Sequence, residues 1–161
     1  MTTLRTITAR PIDAAAFAPF GQLLEQPASG SRDDYVGKIE ADQTGRRANL
    51  AVIRATPRPL PLHIDAMERH PHSSQAFMPL AVERYLVLVC PSQADGEPDL
   101  DRLEAFICRG GQGINYNRGT WHHPMTTIGA PGTFTMLMWD DMSPRDTEWS
   151  KVDRPIVVSV D

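Results

Sequence analysis

Gly113-Ile114-Asn115-Tyr116-Asn117-Arg118-Gly119-Thr120-Trp121-His122-His123-Pro124 reads as a strand, a tight turn and a second strand, with two adjacent histidines just past the turn glycine. Side chains alternate between the two faces of a strand, so His122 and His123 must point to opposite sides. One can enter a pocket while the other packs outward. Upstream, Glu68-Arg69-His70-Pro71-His72-Ser73-Ser74-Gln75 forms a second polar cluster. Four of the five histidines fall in these two stretches. Brought together by the fold, the stretches would surround a small polar pocket with imidazoles, a guanidinium, a carboxylate and an amide.

The rest of the chain supports a β-rich frame for that pocket. Residues 4–9 alternate as a strand, and Asp13 caps a short helix over residues 14–17 that ends at Pro19. Residues 21–25 return as a strand, and 26–45 read as a loop or excursion with a weak strand at 35–38. Residues 47–54 form a strand. Pro57, Pro59 and Pro61 then exclude a central ladder and predict an extended connector. Residues 62–67, 75–80 and 84–90 read as strands, and Tyr85-Leu86-Val87-Leu88-Val89 is apolar throughout, as in a strand buried on both faces. Leu100, Leu103 and Phe106/Ile107 recur at three-to-four spacing behind Pro98 and Asp99, which predicts a helix over 99–107. Strands follow at 113–116, 121–127, 133–139 and 155–160. About nine short strands with frequent turns predict an all-β fold, a barrel or sandwich with one or two short helices.

At 161 residues the chain suits a single domain, 1–161. Its net charge of −4 and lack of a basic stripe argue against nucleic acid as a partner. No apolar run approaches the ~20 residues that span a bilayer, and the first residues lack the apolar stretch of a secretory signal. The expectation is therefore a cytoplasmic protein. Cys90 and Cys108 match no zinc spacing and read as buried thiols.

Gly119-Thr120-Trp121-His122 has the glycine-x-x-histidine spacing of the second cupin motif, which selects His122 for the pocket. His70-Pro71-His72 gives half of the first cupin motif, with Gln75 where a glutamate would stand. A metal set of His70, Gln75 and His122 follows from that spacing, although a neutral amide is a poorer ligand than a carboxylate for a hard divalent ion.

The two clusters also carry a more specific likeness. Arg54-Ala55, Pro57-Arg58 and Leu60-Pro61-Leu62 precede Glu68-Arg69-His70-Pro71, Gln75-Ala76-Phe77, Pro79-Leu80, and Arg118-Gly119 with Trp121-His122-His123-Pro124. Over residues 49–140 this pattern resembles ureidoglycolate lyase of allantoin breakdown and purine-nitrogen use. The resemblance implies a cupin-like fold, a homodimer, and cleavage of (S)-ureidoglycolate to glyoxylate and urea, a carbon–nitrogen (amidine-type) lyase reaction. It also implies a divalent ion such as nickel (Ni2+). His72 lies outside the resembling motif.

That chemistry suits the residues. The substrate carbon bears a carboxylate, a hydroxyl and a urea nitrogen, so elimination needs a base for the hydroxyl proton and an acid for the departing nitrogen. His122, His123 and Glu68 are the candidates for proton transfer. Glu68 serves as acid or base, or orients a histidine. Arg54 and Arg69 are candidate carboxylate clamps, and Gln75, Asn115 and Tyr116 can hydrogen-bond the urea group. Two alternatives remain at this stage: a metal-dependent cupin isomerase or dioxygenase acting on a small carboxylate, and a non-enzymatic small-molecule-binding barrel. A dimer is also expected from the doubly apolar 85–89 run, the outward histidine, and Trp139 and Trp149 near strand ends.

Overall fold

The computed structural model of the chain describes residues 3–42 and 45–161. Residues 1 and 2, and residues 43 and 44 of the predicted excursion, lie outside the described set. The architecture is almost entirely β and is built around a central seven-stranded sheet. Its order is Glu148–Lys151, Ala66–Arg69, Trp121–His122, Arg84–Cys90, Glu104–Arg109 and Arg10–Pro11, with Thr126–Thr127 also paired to Arg84–Cys90. A five-stranded sheet packs on one face: Gly21–Leu24, Gly113–Tyr116, Gln75–Ala81, Gly132–Asp140 and Arg47–Ala55. A three-stranded sheet of Arg5–Thr8, Ile156–Ser159 and Leu62–His63 packs on the other.

The strand Arg84–Cys90 shows why the central sheet needs cover on both sides. Tyr85, Val87 and Val89 enter a barrel core with Phe17, Phe106, Ile114 and Phe134. Leu86, Leu88 and Cys90 enter an outer core with Leu62, Met67, Trp121 and Ile156. Burying each such side chain stabilises by about 1.5–3 kcal/mol, so an apolar run of this kind settles only between two layers.

The expected helix over residues 99–107 is corrected. Asp99 caps a single 3-10 turn, Leu100–Arg102, and the chain then runs as the strand Glu104–Arg109, antiparallel to Arg84–Cys90. Leu103 and Ala105 belong to the outer core, whereas Phe106 and Cys108 belong to the barrel core. A strand buried on both faces can place apolar residues at the same three-to-four intervals as an amphipathic helix, and here the two-sided demand wins. The helix expected at 14–17 is present, with the Asp13 carboxylate accepting from the Ala16 amide.

Three smaller differences shape the site. Residues 35–38 make a turn, closed by the Lys38 amide on the Tyr35 carbonyl, in place of a weak strand. The second strand of the opening stretch is interrupted after His122, since Pro124 has no amide to continue the ladder. A further strand, Glu148–Lys151, borders Ala66–Arg69. The excursion docks across residues 72–74: Ser74 and Glu40 exchange hydrogen bonds, and the Asp42 amide donates to the His72 carbonyl.

Candidate active site

At one end of the barrel, Glu68 and His122 lie directly opposite each other on paired antiparallel strands. Met67 packs in the outer core, so alternation turns Glu68 to the barrel side. His70 follows two residues later, and its ring centroid is 5.3 Å from that of His122. Donor atoms of Glu68, His70 and His122 all lie within 4.8 Å of one another. Both histidines are buried, and Glu68 is partly so.

The backbone fixes the state of both rings. His122 Nδ1 is 2.8 Å from the Thr120 carbonyl, and His70 Nδ1 is 2.9 Å from the Asp146 carbonyl. A carbonyl only accepts, so each Nδ1 carries a proton, and in the neutral His70 ring the lone pair is left on Nε2. Both Nε2 atoms are buried without a hydrogen-bond partner among the described residues. His122 Nε2 does approach Glu68 Oε1 at 3.4 Å, an ion-pair contact longer than a normal hydrogen bond. Tyr116 stacks on the His122 ring at 4.1 Å between centroids, which holds its plane.

Burial lowers the pKa of His70, reinforced by His122 beside it, and favours its neutral form. Burial alone would raise that of Glu68, but His122 and His70 outweigh it and hold the carboxyl below its usual range. Burial keeps the Tyr116 phenol protonated. Two imidazole Nε2 atoms beside a carboxylate form a mixed N/O donor set suited to a first-row divalent ion, with backbone carbonyls orienting the imidazoles as metal-bound histidines require. The residues present therefore fit a divalent ion.

Of the other residues singled out in the sequence, Gln75 and Tyr116 join this end of the barrel. Gln75 donates to Met138 Sδ at 3.5 Å and leaves a buried Oε1 without a partner. The third member of the donor cluster is thus Glu68, two residues before His70, with Gln75 beside it. The remaining candidates face elsewhere. Arg54 is exposed on the outer face of its sheet, between inward-packed Ile53 and Ala55. Arg69 stacks over Trp121 at 4.7 Å and pairs with Glu148 at 2.6 Å, on the outer-core side. Asn115 alternates with Ile114 and Tyr116, and it bonds Gln22 and the Lys38 carbonyl outside the barrel.

His123, on the face opposite His122, donates from Nδ1 to the Pro124 carbonyl and meets Arg58 at 3.3 Å through Nε2. His72 pairs with Asp42 and not with His70. The residues that sequence reasoning missed, Thr120 and Asp146, act through backbone carbonyls, and residue type carries no signal for that.

A surface groove of about 610 Å³ is lined by Phe20, Pro91, Arg102, Arg118 and Trp121 among others. Its lining omits Glu68, His70 and His122 but includes Thr120, whose carbonyl faces His122 Nδ1. A smaller hollow of about 320 Å³ borders Arg47, Asp140 and Asp141, next to the loop that carries Asp146. The convergent donor atoms, rather than the size of a hollow, mark the site.

A buried histidine–carboxylate cluster in the end of a β-barrel marks a protein of cupin-type fold. The fold agrees with a solved dTDP sugar isomerase from Desulfovibrio desulfuricans G20, which is 16% identical, has a TM-score of 0.52, and aligns over 84% of this chain and 85% of that one. The chain belongs to the ureidoglycolate lyase family, whose pattern it matches over residues 4–159. Proteins named ureidoglycolate lyase from Mesorhizobium japonicum and Burkholderia mallei (strain NCTC 10229) are 40% and 35% identical to it. The first alignment covers 81% of this chain and 84% of the relative, the second 83% and 82%.

Proposed function

We propose that this chain cleaves (S)-ureidoglycolate to glyoxylate and urea, as an amidine-type lyase of purine-nitrogen breakdown. The observation that carries this reading is the convergence of Glu68, His70 and His122 within 4.8 Å, in a chain of this family. Glu68, ionised and 3.4 Å from His122 Nε2, takes the substrate hydroxyl proton as the new carbonyl forms. The carbon–nitrogen bond breaks, and the proton passes from Glu68 to the departing nitrogen, so that glyoxylate and urea leave with no water consumed. Gln75, through its unpaired Oε1, accepts from a urea N–H. Tyr116 fixes the His122 plane so that Nε2 stays beside the carboxylate.

Glu68, His70 and His122 would hold a divalent ion, nickel in this reading, with the Gln75 amide oxygen beside them. When bound, that ion supplies Lewis-acid polarisation of substrate oxygens.

The protein acts as a single domain over residues 1–161 and as a homodimer in the cytoplasm. Leu50, Val52, Met78 and Leu80 support the dimer. They lie on the outer face of the five-stranded sheet, with Leu50 73% and Val52 68% exposed, and their strand Arg47–Ala55 is the sheet edge. No helix among the described residues is long and apolar enough to cross a membrane.

The test is a paired glyoxylate and urea assay on purified protein, with and without added Ni2+. Equal release of both products is expected. Failure to release either product under both conditions overturns the reading.

A further inference from the structure

One link around the cluster reaches well beyond it. Asp146 closes the capping box of the 3-10 turn Pro144–Asp146 with Ser143. Its carboxylate accepts from the Asp141 amide at 3.0 Å, the Ser143 amide at 3.2 Å and Arg46 Nε at 2.6 Å. Its carbonyl takes the Nδ1 proton of His70 at 2.9 Å, and Thr147 Oγ1 lies 3.3 Å from the same His70 Nδ1. Arg46 comes from the far end of the excursion, just ahead of the strand Arg47–Ala55. Its side chain is only 3% exposed, and its two terminal nitrogens each lie 3.7 Å from a further carboxylate, Asp42 and Asp141. A planar guanidinium held among three carboxylates fixes direction as well as charge. The carbonyl that orients His70 is thus anchored by a cation on a different chain segment.

We propose that Arg46 and Asp146 are positioning residues that hold the His70 imidazole in its Nδ1–H tautomer, which keeps the Nε2 lone pair in the Glu68–His122 cluster. Neither residue needs to touch substrate. The value of Nε2 as a ligand or acceptor depends on where the proton sits, and the Asp146 carbonyl determines that. Released from Arg46, the Asp141–Thr147 loop relaxes, His70 loses its fixed acceptor, and the proton redistributes between the two ring nitrogens. His122 is held separately, by Thr120, and serves as an internal reference. The proposal rests on the reading of His70 as part of the functional cluster.

The test is side-chain 1H–15N correlation of the histidines in the full chain at about pH 8, with Ni2+ titration calorimetry on the same samples. Wild type should show Nδ1-protonated rings for both His70 and His122. In Arg46→Met the His70 pattern should become a mixture while His122 stays unchanged, with far-UV circular dichroism preserved. Ni2+ affinity should fall about 10–100-fold, the usual cost of losing a partner that orients a ligand. Asp146→Asn keeps the backbone carbonyl but removes the charge paired with Arg46, and it should move His70 in the same direction. Arg46→Lys keeps the charge without the fork and decides the matter if the other two fail to fold.

An unchanged His70 tautomer in any folded variant overturns the proposal, as does an equal change at His122. If wild type neither binds Ni2+ nor releases glyoxylate, the functional reading falls, while the tautomer result still decides the role of Arg46 and Asp146.

Discussion

Glu68 Oε1 stands 3.4 Å from His122 Nε2, on residues directly opposed across one antiparallel pair. A one-residue slip of either strand would turn one of them to the other side of the sheet. The register of this short pairing is therefore as much a part of the site as the side chains themselves.

Replacing Glu68 by Gln keeps the shape and removes the carboxylate. Turnover should fall about 10²–10⁴-fold, the usual worth of a positioned proton-transfer group. His122→Ala should lose at least as much, because it removes both the stacked ring and the neighbour that keeps Glu68 ionised. Steady-state rates of glyoxylate release check both. A Glu68→Gln enzyme with wild-type turnover would move the proton-transfer role elsewhere.

Arg54 and Arg69 separate placement from residue type. Both face away from the cluster, so Arg54→Ala and Arg69→Ala should leave KM within about twofold as direct effects on the site. Arg69→Ala should instead cost about 1–2 kcal/mol of stability, from its contact over Trp121 and its pair with Glu148. Urea denaturation reads the second effect. A KM raised tenfold by either change, with stability intact, would return that arginine to the substrate.

The outer face of the five-stranded sheet predicts the oligomer. Leu50→Glu with Val52→Glu puts two charges on exposed apolar positions and should yield a folded monomer. Light scattering at micromolar concentration distinguishes the species. A double variant that stays dimeric would place the interface on another face.

Cys90 and Cys108 should be silent to thiol reagents in the native state. Burial pushes each thiol up to about 12, which leaves a thiolate fraction of about 10⁻⁴ at pH 8. Iodoacetamide should label neither until denaturant opens the cores, after which both should react. Native labelling detected by mass spectrometry would show that a core opens.

Alternation made part of this site readable from residues alone. With period two, adjacent His122 and His123 cannot share a face, and the glycine-x-x-histidine spacing picked the inward one. The same rule gave the doubly buried strand Arg84–Cys90. It failed at Glu104–Arg109, where two opposite apolar faces imitate a helical stripe. It was silent on Arg54, Arg69 and Asn115, since the inward face of a strand is known only once its partners are known. Glu68 was seen as chemistry but not as the third donor beside His70 and His122, which depends on its pairing opposite His122.

The parallel pairing of Arg5–Thr8 with Ile156–Ser159 has a kinetic consequence. It ties together segments about 150 residues apart, so the outer core cannot close until Ile156–Ser159 has left the ribosome. Closing so long a loop carries an entropic cost before its contacts form, and β topologies of this kind refold in milliseconds to seconds rather than microseconds. During synthesis, Leu62, Leu86 and Leu88 would wait without Ile156 and Val158 to cover them. The nascent chain is then most exposed to aggregation just before Ile156–Ser159 arrives.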